Sequence, residues 1–194
     1  MSARTKAHRL TVTAMLGAVA VVLMLMEFSI PFLIPDFVKM DLSELPALLA
    51  AFSLGPVYGI AVCFIKNAVH ALFTTTACVG ELCNFLLGCC FMIPAGLLYK
   101  VKKSRKSALL GALLGALAMA ICSVPINYFI SYPVYTAFIP LDAIISMYQA
   151  LIPSVNGLLM CLIVFNAPFT LLKGILTTII AFLIYKPLSP LLHK

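Results

Sequence analysis

The stretch YKVKKSRK, residues 99–106, places five of the chain's thirteen Lys and Arg residues within eight positions. Apolar segments flank it at about 80–99 and 107–130. Each is long enough to cross a bilayer, because roughly 20 mostly apolar residues span the hydrocarbon core as a helix. Short loops rich in Lys and Arg remain on the cytoplasmic side of a membrane. The stretch therefore predicts a cytoplasmic loop between two transmembrane helices.

Composition extends this prediction to the whole chain. Its 194 residues are 63% hydrophobic and 10% charged, and the mean hydropathy is +1.14. A soluble domain of this length could not bury so much apolar side chain, so the excess must face lipid. The net charge of +7 does not indicate nucleic-acid binding, because the basic residues flank hydrophobic segments. We predict an all-α polytopic membrane protein with a single transmembrane domain over residues 1–194.

The positions of the charged residues predict the topology. Ten of the thirteen Lys and Arg residues lie in three clusters, which are Arg4, Lys6 and Arg9; the 99–106 stretch; and Lys186 with Lys194. All three clusters, and with them both termini, are expected in the cytoplasm. The acidic residues Asp36, Asp41 and Glu44 follow the first apolar segment and are expected outside. An odd number of spans must therefore separate them from residues 99–106.

Six spans are predicted, at about 10–30, 45–54, 56–73, 80–99, 107–130 and 167–186. The segment 45–54 is short and ends at Gly55-Pro56, so it must be tilted or lie in locally thin membrane. The number of spans after residue 106 must be even, so one of the three apolar segments there cannot cross. We exclude 143–165, because it contains Gln149, Pro153 and Asn156. Residues 131–166 are then predicted to form a long outer loop with a helical or re-entrant piece.

The chain lacks the sequence patterns of the common hydrolytic and metal-dependent enzymes. It has no HExxH motif, no GxxxxGK[ST] loop for ATP and no histidine cluster. Its seven cysteines form no CxxC pair and are expected to be small buried hydrophobic residues. We therefore expect no catalytic residue, no metal and no cofactor, and any active transport would need energy from another protein.

Three lysines depart from the charge sorting. Lys39 lies in the first outer loop, and Lys66 and Lys173 lie within predicted spans. A lysine inside a span usually faces the bundle interior or a wet cavity, because its ammonium is costly to insert into lipid. Lys66 shares a short stretch with Asn67 and His70, which favours an internal polar contact for this lysine.

Lys173 is the most informative of the three. The i, i+4 and i+7 spacing places Asn166, Thr170 and Lys173 on one helical face. Three polar groups therefore point one way near the outer end of the last span. The residues leave three alternatives for the ammonium: a pair with Glu27 or Glu81, contact with a ligand, or snorkelling to the interface.

Two further spans bring polar residues to the same outer level. Asn127 and Tyr128 end the fifth span, and Gly80, Glu81 and Asn84 open the fourth. A single buried Asn more often bonds a neighbouring helix, but their convergence at one level indicates a site. Amides with aromatic side chains suit a flat aromatic ligand with polar edges better than an ion.

Motifs spread over nearly the whole chain carry a family resemblance. They are Ile34–Ala47 (IPDFVKMDLSELPA), Gly55-Pro56 with Gly59, Ile65-Lys66-Asn67 with His70, Gly80-Glu81 with Asn84-Phe85, Asn127-Tyr128, Pro133–Thr136, and Pro168-Phe169 with Lys173-Gly174. In this order they resemble the riboflavin-binding S component of energy-coupling factor (ECF) vitamin transporters.

The resemblance implies a six-helix bundle in the bacterial cell membrane, with both termini cytoplasmic and an outward-open vitamin pocket. It implies a subunit that binds riboflavin, does not hydrolyse ATP, and docks on a transmembrane scaffold driven by two cytoplasmic ATPases. Docking would use Ala14 and Ala18 of the first span, which match the family's AxxxA pattern. The spacing of these small residues alone permits close helix approach either within this bundle or against another protein.

The resemblance also implies residue roles. Asn127 and Lys173 would hydrogen-bond the vitamin, and the loop of Asp41, Leu42 and Ser43 would cover it. Thr170 stands where the family usually has Asn, so one contact to the ligand is expected to change or to come from Asn166. The alternatives are an S component for another small vitamin, a membrane enzyme acting on lipid, and a purely structural helix bundle.

Overall fold

Long apolar segments of the chain fold into helices that surround one short helix. The computed structural model describes residues 3–74 and 77–192, with side chains for 4–74 and 77–184. Lys194 and the side chain of Lys186, both predicted to be cytoplasmic, lie outside this part. The elements in chain order are α1 (Ala3–Leu25), β1 (Phe28–Ser29), β2 (Lys39–Met40), α2 (Glu44–Ser53), α3 (Pro56–His70), a 3₁₀ turn (Ala71–Phe73), α4 (Val79–Val101), α5 (Arg105–Ile126), α6 (Tyr132–Tyr135), α7 (Leu141–Gln149), α8 (Leu158–Cys161) and α9 (Ala167–Leu192).

The short helix α2 lies at the centre of the bundle. Nine of its ten residues are buried, and it contacts α1, α3, α4 and α9. Because protein surrounds it, the unpaired backbone groups at its two ends do not have to face lipid, and a short helix is tolerated. Gly55 ends it with a φ of 117°, a conformation that favours glycine. Pro56 then starts α3, where a missing N–H costs nothing.

Five helical segments in the described part are long and apolar enough to cross a membrane. They are Arg4–Leu25, Pro56–Phe73, Val79–Val101, Arg105–Tyr135 and Leu158–Ile184. The helix α2 is apolar but shorter. The fold is therefore an all-α bundle with five candidate spans, and the role of α2 as a sixth span stays a prediction.

The first helix ends earlier than the predicted boundary at residue 30. Helix α1 stops at Leu25, and Phe28–Ser29 pair as an antiparallel strand with Lys39–Met40. Pro31 disfavours helical backbone at the residue before it, and the hairpin supplies other partners for the backbone. Residues 26–43 thus form the loop that the sequence predicts on the outer side, and a two-stranded sheet ties this outer loop down.

The helices on both sides of the predicted 131–166 loop are longer than expected. A π-helical turn, Asn127–Ser131, joins α5 to α6, so the helix continues to Tyr135. A second π-helical turn, Leu162–Asn166, joins α8 to α9, so the last helix begins at Leu158 rather than 167.

Each π-helical turn ends two residues before a proline. Ser131 precedes Tyr132-Pro133, and Asn166 precedes Ala167-Pro168. In an α-helix a proline ring clashes with the carbonyl four residues back, whereas the wider turn relieves that contact. Proline therefore does not end these helices, and helical backbone continues beyond the predicted boundaries at residues 130 and 167. Only residues 136–157 connect the two helices, and they include the short helix α7.

The close packing of α4 on α5 leads to a first prediction. A Cβ added at Gly115 would lie 2.5 Å from the carbonyl oxygen of Phe91. Because backbone cannot yield as a side chain can, Gly115→Ala should lower the free energy of unfolding by about 1–3 kcal/mol. The thermal unfolding midpoint in detergent measures this. The neighbouring variant Leu114→Phe enlarges a side chain that is 47% exposed, so it serves as the control with an unchanged midpoint.

Candidate ligand-binding cavity

A cavity of about 210 Å³ lies at the end of the bundle opposite the 99–106 stretch. Helix α4 contributes Gly80 and Glu81 from its first turn, whereas its other end carries Lys100. The other walls come from the outer loop, α1, α2, α3, α5, α6, α9 and the two π-helical turns. The cavity is therefore formed by several helices and covered in part by the outer loop.

Most of the residues predicted to form a site line this cavity. They are Asp41, Gly80, Glu81, Asn84, Asn127, Asn166, Thr170 and Lys173. Asn166, Thr170 and Lys173 lie on one face of the last helix, as their spacing predicts. Leu42, Ser43 and Tyr128 are absent from the lining. Tyr128 follows Asn127 directly on the helix, so its side chain points in a different direction. It is 38% exposed and packs against Phe129.

Four charged side chains form a buried network beneath the outer loop. Lys173 Nζ lies 2.7 Å from Asp41 Oδ2, and Lys66 Nζ lies 2.6 Å from Glu44 Oε1. Ser43 joins the two pairs: its Oγ accepts from Lys66 at 2.5 Å and donates to Asp41 Oδ1. Two ammonium groups and two carboxylates balance, so no net charge is buried.

The three lysines outside the charge sorting all have carboxylate partners. Lys39 Nζ lies 2.6 Å from Glu27 Oε1 at the outer loop. Lys66 makes the internal contact that was predicted. The alternative that Lys173 pairs with Glu27 or Glu81 is wrong, because its partner is Asp41.

Glu81 has its own partners across the cavity wall. Its Oε1 lies 2.9 Å from His70 Nδ1, and its Oε2 accepts from Thr74 Oγ1 at 3.0 Å. These contacts hold the start of α4 against the end of α3. The carboxylate is therefore occupied by a neighbouring element and does not need Lys173.

Asp41 is held in its ionised form. Burial alone would raise the pKa of this carboxyl, but the nearby Lys173 and Lys66 ammonium groups oppose that effect, as do hydrogen bonds from Lys173 and Ser43. Together they hold the pKa of Asp41 well below its ordinary value of 3.8. The Asp41–Lys173 ion pair is thus intact at neutral pH.

Two tyrosines fix the amide of Asn166. Tyr148 of α7 donates to Asn166 Oδ1 at 2.8 Å, and its hydroxyl lies 2.5 Å from that of Tyr132. Burial raises the pKa of Tyr148 far above its ordinary value, so the hydroxyl stays protonated. Phe37 packs edge-on against Tyr148, with 5.9 Å between ring centroids. The outer loop and α7 thereby meet over the cavity.

The amide of Asn127 is held by its own helix. Its Nδ2 donates to the Ser123 carbonyl at 2.7 Å, and its Oδ1 accepts from Ser131 Oγ at 3.0 Å. Asn127 and Ser131 are the first and last residues of the π-helical turn, which directs both side chains to the cavity. Such turns occur frequently at functional sites.

Sequence reasoning missed the apolar and aromatic part of the lining. It includes Met24, Phe37, Leu87, Met119, Tyr132, Tyr135 and Phe169. Tyr132 and Tyr135 fall in a segment that was predicted to be loop, and an aromatic residue in an apolar span has no distinctive spacing. The signal that could have found them is the run of three tyrosines from Tyr128 to Tyr135 at intervals of three or four residues.

Other predicted features concern metals and docking. In the part of the chain that the structure describes, no group of three or more His, Cys, Asp or Glu residues could hold a metal ion.

Ala14 and Ala18 are both exposed on α1, beside the exposed side chains of Met15 and Val19. The small-residue face is therefore not used inside this bundle.

Comparison with known proteins settles which fold this is. The family "ECF transporter, substrate-specific component" matches residues 8–185. The chain belongs to this family. It is similar to the riboflavin transporter RibU of Staphylococcus aureus (strain TCH60), with 37% identity over 96% of this chain and 93% of that protein.

Two further proteins agree with this assignment. The riboflavin transporter FmnP of Bacillus subtilis (strain 168) is 34% identical over 97% of this chain and 96% of that protein. A solved structure described as the S component of a bacterial ECF transporter superposes with a TM-score of 0.76 at 34% identity. It covers 97% of this chain and 99% of its own. As an S component, the chain is a transport subunit rather than an enzyme.

The Asp41–Lys173 pair leads to a second prediction. A carboxyl whose pKa is lowered by folding stabilises the protein above its unfolded pKa, and this stabilisation is lost as the pH falls toward the folded pKa. The thermal midpoint of the ligand-free protein should therefore exceed that of Asp41→Asn by a constant amount from pH 7 down to about 4, and the difference should shrink at lower pH. A difference that does not depend on pH would contradict the ionised state of Asp41.

Proposed function

We propose that this S component captures riboflavin from outside the cell and delivers it to an ECF module for uptake. The observation that carries the proposal is one cavity lined by both amide and aromatic side chains, in a chain whose relatives are named riboflavin transporters. The riboflavin ring system is flat and apolar on its faces, with carbonyl and N–H groups along one edge. Aromatic and methionine side chains suit the faces, and amides suit the edge.

The charges at the cavity favour an uncharged ligand. The carboxylates of Asp41 and Glu44 pair with Lys173 and Lys66. Neither lysine is therefore left unpaired to bind an anionic group of a ligand. Riboflavin carries no charge at neutral pH. Its ribityl hydroxyls can both donate and accept, which suits the hydroxyl of Thr170.

The cavity position also supports a topology. The basic 99–106 stretch lies at one end of α4 and the cavity at the other, so the positive-inside rule directs the cavity outward. We infer that α2 is the sixth span, that both termini are cytoplasmic, and that the protein lies in the bacterial cell membrane. Residues 37–41 and α7 would then cover the vitamin from the outside.

Uptake requires an energy source that this chain lacks. We propose that α1 docks through Ala14 and Ala18 on a transmembrane scaffold subunit, which two cytoplasmic ATPases drive. Both alanines are exposed, and small residues four apart allow a partner helix to approach closely.

Riboflavin binding and its residues are tested by titration. The purified protein should quench flavin fluorescence with a dissociation constant in the low micromolar range or below. Lys173→Met and Asn127→Ala should each weaken binding by about 1–3 kcal/mol, because each removes a partner from a buried polar site. The exposed Lys103→Met is the matched control with unchanged affinity. The absence of quenching by the wild type would refute the ligand assignment, and unchanged affinity in both site variants would refute the site.

The docking surface is tested separately from binding. Replacing both Ala14 and Ala18 with Leu should leave riboflavin affinity unchanged and abolish both uptake and co-purification with the scaffold, because bulky side chains prevent close helix contact. Val22 is 56% exposed on the same helix, and Val22→Leu serves as the control. Normal uptake by the double variant would place the interface elsewhere.

A further inference from the structure

Lys66 is the most deeply buried charge near the cavity, yet it does not line it. Its side chain is fully inaccessible. Its ammonium is surrounded by three oxygens: Ser43 Oγ at 2.5 Å, Glu44 Oε1 at 2.6 Å and Asn84 Oδ1 at 3.5 Å. Glu44 and Asn84 both line the cavity. Lys66 therefore sits directly behind part of the cavity wall.

An ammonium group fixes the direction of every hydrogen bond around it. It has three donors and no acceptor, so each group that faces it must present a lone pair. The amide of Asn84 must then turn its oxygen toward Lys66 and leave its NH₂ group for the cavity. The opposite orientation would place N–H groups against a buried cation, which is unfavourable at low dielectric.

The Lys66 ammonium also sets the direction of the hydrogen bonds in the outer loop. Since Ser43 Oγ accepts from Lys66, its proton is directed to Asp41 Oδ1, which also accepts the Ser43 N–H at 2.8 Å. Asp41 Oδ2 accepts from Lys173. Most of the lone pairs of this carboxylate are thereby used within the protein, whereas the Lys173 ammonium retains further N–H donors. The remaining N–H donors of Lys173, which lines the cavity, are therefore available to a ligand.

We propose that Lys66 is a positioning residue that sets the hydrogen-bond polarity of the cavity, so that Asn84 offers its NH₂ group and the ligand must present an acceptor such as a ring carbonyl. The proposal rests on the proposed function and deepens it, because it assigns the carbonyl-bearing edge of the flavin to this wall. Lys66 itself does not touch the ligand. Its influence passes through Asn84 and through Ser43 to Asp41.

An isosteric substitution at Asn84 tests the direction of the amide. Asn84→Asp keeps an oxygen toward Lys66 but replaces the cavity-facing NH₂ group with a second oxygen. It should weaken riboflavin binding more than Asn84→Ala, for which we expect about a tenfold loss. Affinity equal to or above that of the wild type in Asn84→Asp would overturn the proposal, because the ligand would then be using the amide oxygen. Ser53→Ala, which removes a hydroxyl bonded within α2, is the control with unchanged affinity.

A double-mutant cycle tests whether Lys66 acts through Asn84. Lys66→Met alone would leave Glu44 buried and unpaired, so the pair is replaced together as Lys66→Met/Glu44→Gln. Adding Asn84→Ala to this background should weaken binding much less than the tenfold it does in the wild type, since the amide is no longer oriented. Multiplicative losses would show that Lys66 has only a structural role and would overturn the proposal.

A measurement without ligand separates this proposal from the proposed function. The side-chain NH₂ signal of Asn84 in ¹⁵N NMR, assigned by its loss in Asn84→Ala, should exchange with water in the ligand-free protein, because it faces the cavity. A protected NH₂ signal would place the group in the protein interior and overturn the proposal. This readout stands even if the wild type fails to bind riboflavin, an outcome that would refute the proposed function alone.

Discussion

Charge balance among buried side chains is the constraint on which the cavity depends. Lys66 is fully inaccessible and Lys173 is mostly buried, and each would be prohibitively costly to bury without a carboxylate. Asp41 and Glu44, three positions apart, supply the two carboxylates from the end of the outer loop and the start of α2. The loop, the central helix, α3 and α9 are therefore held together by one network, with Ser43 at its middle.

The two π-helical turns provide the second condition for the cavity. They lie in the helices that continue through Pro133 and Pro168, and Asn127, Ser131 and Asn166 are at their ends. A wider turn changes the direction of side chains relative to a regular helix. The prolines thus bring polar side chains to the cavity without breaking the helices that carry them, and α7 reaches over the top through Tyr148.

The sequence predicted the helices that depend on local composition, and it failed where tertiary contacts decide. The basic stretch at 99–106 separates α4 from α5 as expected, and Gly55-Pro56 separates α2 from α3. The boundary at residue 30 was wrong because a hairpin with residues 39–40 replaces the last turns of α1. The helical segment that precedes Ala167 was not predicted, because the π-helical turn that accommodates Pro168 leaves no periodic signature in the sequence.

The candidate site shows the same division. The spacing of Asn166, Thr170 and Lys173 was sufficient to place them on one face of a helix, and the cost of a buried ammonium singled out Lys173. The choice of Asp41 as its partner could not be predicted, because the pair joins residues 132 positions apart and depends on how the outer loop folds back. The aromatic lining was missed for a similar reason, since Phe37 and Tyr135 meet only in the folded protein.

A structure of the protein purified in the presence of riboflavin would show whether this cavity holds the flavin ring. We expect the ring to lie between Phe37 and the last helix, with its carbonyl-bearing edge within hydrogen-bond distance of Asn84 Nδ2 or Lys173 Nζ. A flavin bound outside this cavity, or one whose carbonyl edge faces away from these donors, would contradict the account.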